Sequence, residues 1–482
     1  MLGRIRHLIR RILPNNGLAR GATVLASGTA VGQVVLLLAS PLLTRLYTPA
    51  DLGLLAVFVG LLALAGTVSS LRYEIAIPLP LSDQQAGGLA KLSLLILVAS
   101  SLVSALILLI LHEEIAQLMN LTGESLLLLF LPMGILFSGA YSIFTYWSIR
   151  VSNYPKMAST QIQRTLVTTA IQFLAFRLGA LGLIFGQTLG QGIGTFALAK
   201  PALRHEGFRS STWTDMREAF VRYRRFPLFS TWSGLANTVG LQAPVLLFAA
   251  LYGPAVVGAY ALAQRVLQVP ASVIGSAVGQ VFFGAATTAH RDGRLNFLVL
   301  QIFSKLTDLG LPIALVTMLV GPRLFSLVFG PAWQQAGEFA QLLAPWLLLV
   351  FIGSPLTKLF PTLERQSQGL VFQIVLLLAR AAAILIGSSF FTLAITVGLF
   401  SLASVTCWLG FFIWVSKATG VRFTLMAMRF LSSLLLSLLL VIPILLGTVL
   451  GNYLSMGWLL GTCVSAALIS IRYMSLFRGI AA

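Results

Sequence analysis

The sequence predicts an all-α polytopic membrane protein of about 14 transmembrane helices, built as two parallel six-helix repeats followed by a C-terminal helix pair. Three observations lead there. Of 482 residues, 57% are hydrophobic and only 9% are Asp, Glu, Lys or Arg, where a soluble domain carries about 25% charged residues. The apolar residues gather in runs of about 20, the length a helix needs to cross a hydrocarbon core of ~30 Å. A motif, L-Y-x-P-A-x-x-G-x-x-A, occurs twice, beginning at Leu46 and at Leu251.

The same inventory excludes several classes. Lys and Arg number 32 against 13 Asp and Glu, for a net charge of +19. A soluble nucleic-acid binder is basic but far more heavily charged overall, so no nucleic-acid partner is expected. A disordered tail lacks the aliphatic residues. Cys407 and Cys463 both sit in apolar runs, so no disulfide framework is indicated. His7, His112, His205 and His290 are scattered without metal-ligand spacing, so no metal is expected. There is no P-loop, and no cofactor or enzymatic chemistry is indicated. The first apolar run, Gly21 to Leu43, is too long for a signal-peptide core and reads as an uncleaved first span.

The predicted spans fall near 22–43, 53–71, 90–111, 125–147, 159–177, 180–199, 229–251, 255–284, 296–320, 338–358, 368–389, 391–415, 424–447 and 456–472. With the N-terminus inside, 24 basic residues fall on inner loops and tails, among them Arg4, Arg6, Arg10, Arg11, Arg72 and Arg472. Three fall outside, Arg45, Arg177 and Arg323, and five lie within spans, Arg164, Arg265, Lys305, Arg380 and Arg429. That asymmetry is the positive-inside rule and places both termini in the cytoplasm. The one long inner loop, about 200–228, contains Trp213–Phe220, whose pattern predicts a short amphipathic helix on the inner membrane face.

Six spans separate the two motif copies, so both lie on the outer side and the repeats are parallel. The predicted organisation is an N-terminal lobe over 1–200, a linker over 201–228, a C-terminal lobe over 229–416 and an appended pair and tail over 417–482. Two such lobes make a transporter architecture with substrate expected between the halves.

Polar residues inside spans are costly, about 2.5–3.5 kcal/mol for a charge on insertion scales, and mark cavities or partners. Arg265 lies roughly 15 Å into its span. Arg265, Gln268, Ser272, Ser276 and Gln280 fall on one face within about 120°, a stripe that reads as a cavity wall or a polar helix-packing face and passes Pro270, which should kink the helix. Gln33 on the first span and Ser230, Ser233 and Asn237 on the seventh are weaker versions, equally compatible with interhelical hydrogen bonding. Lys305 and Asp308 are spaced to pair on one face, either as a structural ion pair or as an ion-coupling site. Arg164 and Arg380 have no acidic neighbour on their own spans. Gly182, Gly186, Gly190 and Gly194 form a helix-packing ridge. The membrane interior is thus cationic. It favours an anionic, phosphate-bearing substrate, which guanidinium matches with paired hydrogen bonds.

At this point a family comes into view. Ala26-Ser27-Gly28-Thr29-Ala30-Val31-Gly32-Gln33 with Pro41–Pro49 resembles the opening of bacterial polysaccharide flippases. So do Leu71-Arg72-Tyr73-Glu74, Tyr223-Arg224-Arg225-Phe226-Pro227, Gln264-Arg265-Val266-Leu267 and Val278–Phe283. These are Wzx-type flippases of the multidrug/oligosaccharidyl-lipid/polysaccharide exporter superfamily. The resemblance covers the first twelve spans and only loosely the last pair. It implies translocation of an undecaprenyl-diphosphate-linked oligosaccharide across the bacterial inner membrane by alternating access. Arg265, Arg45 and Arg72 would then attract or position the diphosphate, with Gln268, Gln33, Asn237, Arg164 and Arg380 as further candidate substrate-binding residues. Membrane lipid and a polysaccharide polymerase with its chain-length machinery are the partners it implies. An H+ or Na+ gradient, glycan consumption downstream, or both would supply the energy, and the residues leave these open. A lipid II flippase, a drug exporter of the same superfamily and a membrane polymerase or ligase are the rival readings. The drug exporter calls for cavity carboxylates, and the polymerase or ligase for a large external loop.

Overall fold

The computed structural model describes residues 17–121, 123–450, 461, 464–470 and 472–473. The basic N-terminal residues Arg4, Arg6, Arg10 and Arg11, about half of the predicted span 456–472, and Cys463 lie outside the described residues. Among the described residues every regular element is helical, and ten helical segments are long and apolar enough to cross a membrane. The contacts divide the chain into two units, Met1–Ala261 and Leu262–Ala482.

The first unit contains α1 (Gly17–Leu46), α2 (Pro49–Val68), α3 (Asp83–Leu118), α4 (Leu131–Arg150), α5 (Tyr154–Leu174), α6 (Ala180–Arg204), the short α7 (Glu206–Ser210), α8 (Trp213–Arg222) and α9 (Thr231–Tyr252). It ends inside α10 (Pro254–Pro270). Helix α1 runs along α5, α5 along α6, α4 between α3 and α6, and α2 along α9. The predicted spans 159–177 and 180–199 are the helices α5 and α6, but neither reaches the apolarity of the other ten. Gln161, Gln163, Arg164 and Gln172 make α5 too polar. The Gly182–Gly194 ridge is where α6 meets α5: a Cβ at Gly186 would come 2.6 Å from Gln172, and one at Gly190 would overlap Thr168.

The linker is folded onto this unit rather than loose. Thr212 and Asp215 form a reciprocal capping box that starts α8, with Asp215 accepting from the Thr212 amide at 2.7 Å. Those hydrogen bonds from Thr212, backbone and side chain, hold the Asp215 carboxyl below its usual range. Met216 and Ala219 are buried while Arg217, Glu218 and Arg222 are exposed, so the helix is amphipathic as its sequence predicts. Its inner face seats on the start of α3, where Gly88 leaves only 2.7 Å for a Cβ against Asp215. Gln84 and Lys91 of α3 fasten it further, to Asp215 at 3.0 Å and to the Ser211 carbonyl at 2.7 Å.

The duplicated motif turns out to be a contact with itself. In the first copy, Thr48 and Asp51 make another capping box at the head of α2. In the second, Gly253 occupies the position of Thr48 and ends α9 at φ +81°. A Cβ on Gly53 would overlap the carbonyl of Pro254, and one on Gly258 would overlap the carbonyl of Pro49. Each copy's glycine thus receives the other copy's proline carbonyl, the reciprocal arrangement of a two-fold contact. Because backbone meets backbone, a side chain has nowhere to go, and overpacking costs about 1–3 kcal/mol or more. Gly53→Val and Gly258→Val are each expected to lower the melting temperature of the detergent-purified protein by several degrees. Gly240→Ala, at a site with nothing within 4 Å, should leave it unchanged. Equal melting of all three variants would contradict the reciprocal contact.

The second unit holds the rest of α10, then α11 (Ser276–Arg291), α12 (Leu295–Phe329), α13 (Gln334–Gly353), α14 (Gln366–Phe390), α15 (Leu393–Thr419) and α16 (Phe423–Leu450). Helix α12 pairs with α13, α14 with α15, α13 with α15, and α16 lies against α12. The predicted span 255–284 is two helices, α10 and α11, joined by a wide π-type turn over Ala271–Gly275 directly after Pro270. Proline removes a backbone donor and clashes with the preceding turn, and a π-turn absorbs the misfit.

Candidate functional site

The connector between α2 and α3 holds the most constrained charged group of the first unit. Leu71 (φ 51°) and Arg72 (φ 61°) are both left-handed, which costs about 1–2 kcal/mol for each non-glycine residue. Packing over-determines them. Tyr73 is buried and its hydroxyl donates to the Phe220 carbonyl at 3.1 Å. Buried Glu74 accepts from the Ser70 hydroxyl at 2.5 Å and lies 4.0 Å from the Arg72 guanidinium. That guanidinium lies over Gly234 of α9, where a Cβ would fall 2.6 Å from Nε. Arg72 Nε is buried without a hydrogen-bond partner. An αL arginine with an unsatisfied donor is strain of the kind that gathers at functional sites.

Burial raises the Glu74 carboxyl above its ordinary value of 4.5, against the lowering pull of Ser70 and Arg72. The folded state therefore holds this proton where the unfolded state has released it. Stability from this group is present below about pH 4.5 and falls as pH rises through the raised value. Glu74→Gln is expected to flatten the melting temperature against pH from about 4.5 upward. An unaltered pH slope would contradict the burial of a titrating Glu74.

The other candidates of this unit have separate surroundings. Arg45 is exposed at the C-terminus of α1, where a cation complements the helix dipole. Gln33 is half-buried on α1, whose Gly28 and Gly32 approach Ala158 and Thr165 of α5. Asn237 is exposed on α9. Arg164 of α5 donates to Gln191 of α6 at 2.9 Å and stacks on Tyr141 of α4, 4.7 Å from the ring centroid.

In the second unit Arg380 of α14 repeats that arrangement. It donates to Ser404 of α15 at 2.9 Å and stacks on Trp346 of α13 at 4.6 Å and on Phe400 at 5.6 Å. Tyr141 and Trp346 are 205 residues apart, the same offset as the two motif copies. Each repeat therefore carries an arginine held between an aromatic on the preceding helix and a polar side chain on the following one. Both guanidiniums are engaged by packed neighbours, so bracing of each helical unit is the role their contacts support.

Arg265 and Gln268 are half-buried on α10. None of the ion pairs formed among the described residues includes Arg265. The longer stripe is interrupted rather than lost. The π-turn over Ala271–Gly275 inserts about one extra residue into the register, which moves Gln280 on α11 from about 60° on one side of Arg265 to about 40° on the other, still on the same face. Ser272 falls within the turn and donates to the Val269 carbonyl at 2.9 Å. The side chain of Ser276 lies outside the described ones.

Asp308 and Lys305 require correction. Asp308 pairs not with Lys305 but with Arg472, at 2.9 Å, and accepts from Ser433 of α16 at 2.5 Å. Tyr473 next door donates to the Leu309 carbonyl at 2.5 Å. Arg472, counted from the sequence among the basic residues of the inner loops and tails, ties the last described segment to α12. Among the described residues no group of three His, Cys, Asp or Glu could hold a metal.

A multi-pass helical bundle with a duplicated motif and arginines set among its helices has the fold of the MOP-superfamily transporters. The solved lipid II flippase MurJ in an inward-closed conformation superposes with a TM-score of 0.74 over 95% of this chain and 100% of its own, at 12% identity. An inward-facing multidrug-resistance MATE-family transporter of that superfamily superposes at 0.58, covering 82% and 93% of the two chains at 14% identity. A MOP-superfamily transporter from Pyrococcus furiosus, noted for a binding pocket of reversed polarity, superposes at 0.53, covering 83% and 96% at 15% identity. At these identities the likeness is one of fold. A family model described as polysaccharide biosynthesis protein matches residues 42–338, and the chain belongs to that family. The lipopolysaccharide biosynthesis protein WzxC of Escherichia coli (strain K12) is 26% identical over 200 residues, 41% of this chain and 40% of its own. The match thus spans about two fifths of that relative's length.

Proposed function

We propose that the protein is a flippase that carries a prenyl-diphosphate-linked oligosaccharide across the bacterial inner membrane for surface polysaccharide assembly. Membership of the polysaccharide biosynthesis family supports the pathway, and the fold supports transport rather than covalent chemistry. The observation that carries the substrate class is Arg265, a half-buried guanidinium on α10 that none of the ion pairs among the described residues includes. A diphosphate supplies the missing charge and accepts its forked hydrogen bonds. Arg72, with its unpartnered buried Nε, is the second proposed ligand, and exposed Arg45 a third. The mechanism is alternating access of two repeat-related lobes, 1–200 and 229–416, joined by the linker 201–228, about a cationic cavity. The glycan rides in water while the prenyl chain stays in lipid. Polymerase and chain-length machinery would receive the product. A drug exporter is disfavoured, because a cation needs carboxylates and these helices supply mainly guanidinium groups.

Cells lacking this protein are expected to accumulate prenyl-diphosphate-linked glycan and to lose surface polysaccharide. The intact gene should reverse both effects. Unchanged surface polysaccharide in the deletion strain would sink the assignment.

A further inference from the structure

We propose that the ends of α5 and α6 around Tyr154 and Arg204 form a binding site for the phosphate group of an anionic lipid, separate from the transport path. A cavity of about 550 Å³ opens there, lined by Asn153, Lys156, Lys200, Arg204 and His205 together with small apolar residues. No ion pair among the described residues includes Lys156, Lys200 or Arg204. Asp83, 3.9 Å from His205, is already taken by Arg150 at 2.8 Å. Three cations therefore line the cavity, and no carboxylate is among its lining residues.

The helix end adds to them. Asn153 precedes the 21-residue α5 but makes no side-chain cap, and because Pro155 has no N–H and Met157 donates to the Asn153 carbonyl, the first turn leaves the amides of Tyr154 and Lys156 as donors beside the cavity. Basic side chains and a helix N-terminus converging on one space are the chemistry of phosphate binding.

The surface beside the cavity says why the phosphate belongs to a lipid. Phe196, Lys200 and Leu203 share one face of α6 by their four- and three-residue steps, and Ile193 precedes them. Ile193, Phe196 and Leu203 are all exposed, Phe196 by 67%. An acyl or prenyl chain can lie along this stripe with its phosphate at Lys200. By the distribution of basic residues this end is cytoplasmic, where basic pockets between helices hold anionic headgroups.

The test counts lipid retained on the purified full-length protein by native mass spectrometry. Phosphatidylglycerol, phosphatidylcholine and a short prenyl diphosphate are added in turn. The wild type is expected to retain phosphatidylglycerol several-fold over phosphatidylcholine. The triple variant Lys156→Gln/Lys200→Gln/Arg204→Gln should lose that preference at least fivefold, and Lys156→Arg/Lys200→Arg should keep it. Arg204→Gln alone, at an exposed helix end, should give a partial loss and serves if the triple variant does not fold. Competition between prenyl diphosphate and phosphatidylglycerol would overturn the separation of this site from the transport path. Lack of competition would support it with membrane lipid alone. Undiminished phosphatidylglycerol retention by a folded variant lacking these cations would overturn the proposal. Displacement by millimolar inorganic phosphate would overturn its lipid character. The readout is retention and not transport, so it stands apart from the proposed function.

Discussion

Arg265→Ala is expected to reduce translocation of a fluorescent prenyl-diphosphate sugar by about tenfold or more while leaving melting behaviour near that of the wild type. A charge-assisted hydrogen bond contributes about 1.5–3 kcal/mol, and each 1.4 kcal/mol is a factor of ten. Arg265→Lys should fall between the two, since an ammonium keeps the charge but not the forked geometry. The fold should survive, because no ion pair among the described residues depends on Arg265. Arg380→Ala should behave in the opposite sense. Its guanidinium is stacked on Trp346 and bonded to Ser404, so its loss should appear first in stability. Normal transport by Arg265→Ala would remove it from the substrate path.

The second large effect is expected at Asp308 and Arg472. Their side chains are 25% and 11% exposed. Breaking a buried pair from one side leaves an uncompensated charge and costs about 3–5 kcal/mol. Arg472→Leu is therefore expected to destabilise the protein by roughly 3 kcal/mol, at the low end because Asp308 retains some water. Adding Asp308→Asn should recover most of the loss, and a double-mutant cycle reads the coupling. The same Asp308→Asn variant tests ion coupling. If its transport responds to an imposed proton gradient as the wild type does, Asp308 is structural only. If the response disappears, the pair also couples protons.

The contrast between these two sites shows what a sequence can reveal here. Segment lengths and apolar runs made most of the helices legible, because a bilayer fixes both quantities. The motif at Leu46 and Leu251 was legible as a repeat, but not as a contact with itself. Only the meeting of Gly53 with Pro254 and of Gly258 with Pro49 shows that. Lys305 was the natural partner for Asp308 by helical spacing, yet the partner is 164 residues away. A local rule offers only local candidates, and pairing across helices is set by tertiary packing. The break in the polar stripe was partly legible: Pro270 predicts a kink, and the structure places a π-turn directly after it. The burial of Glu74 leaves no mark on the sequence, since nothing in a linear pattern shows that a carboxyl is buried. The cluster of Lys156, Lys200, Arg204 and His205 was dispersed among topology charges. One signal was available and unused. Applying the 205-residue offset beyond the motif pairs Tyr141 with Trp346 and points to the two stacked arginines.

Reconstitution tests the central claim most directly. Purified protein in liposomes is given a fluorescent prenyl-diphosphate oligosaccharide in one leaflet, and a membrane-impermeant quencher reads its arrival in the other. Translocation well above that of protein-free vesicles, sharply reduced in Arg265→Ala and Arg72→Ala, is the expected result. Equal rates with and without the protein, or full activity in both arginine variants, would contradict a flippase that holds its substrate by the diphosphate.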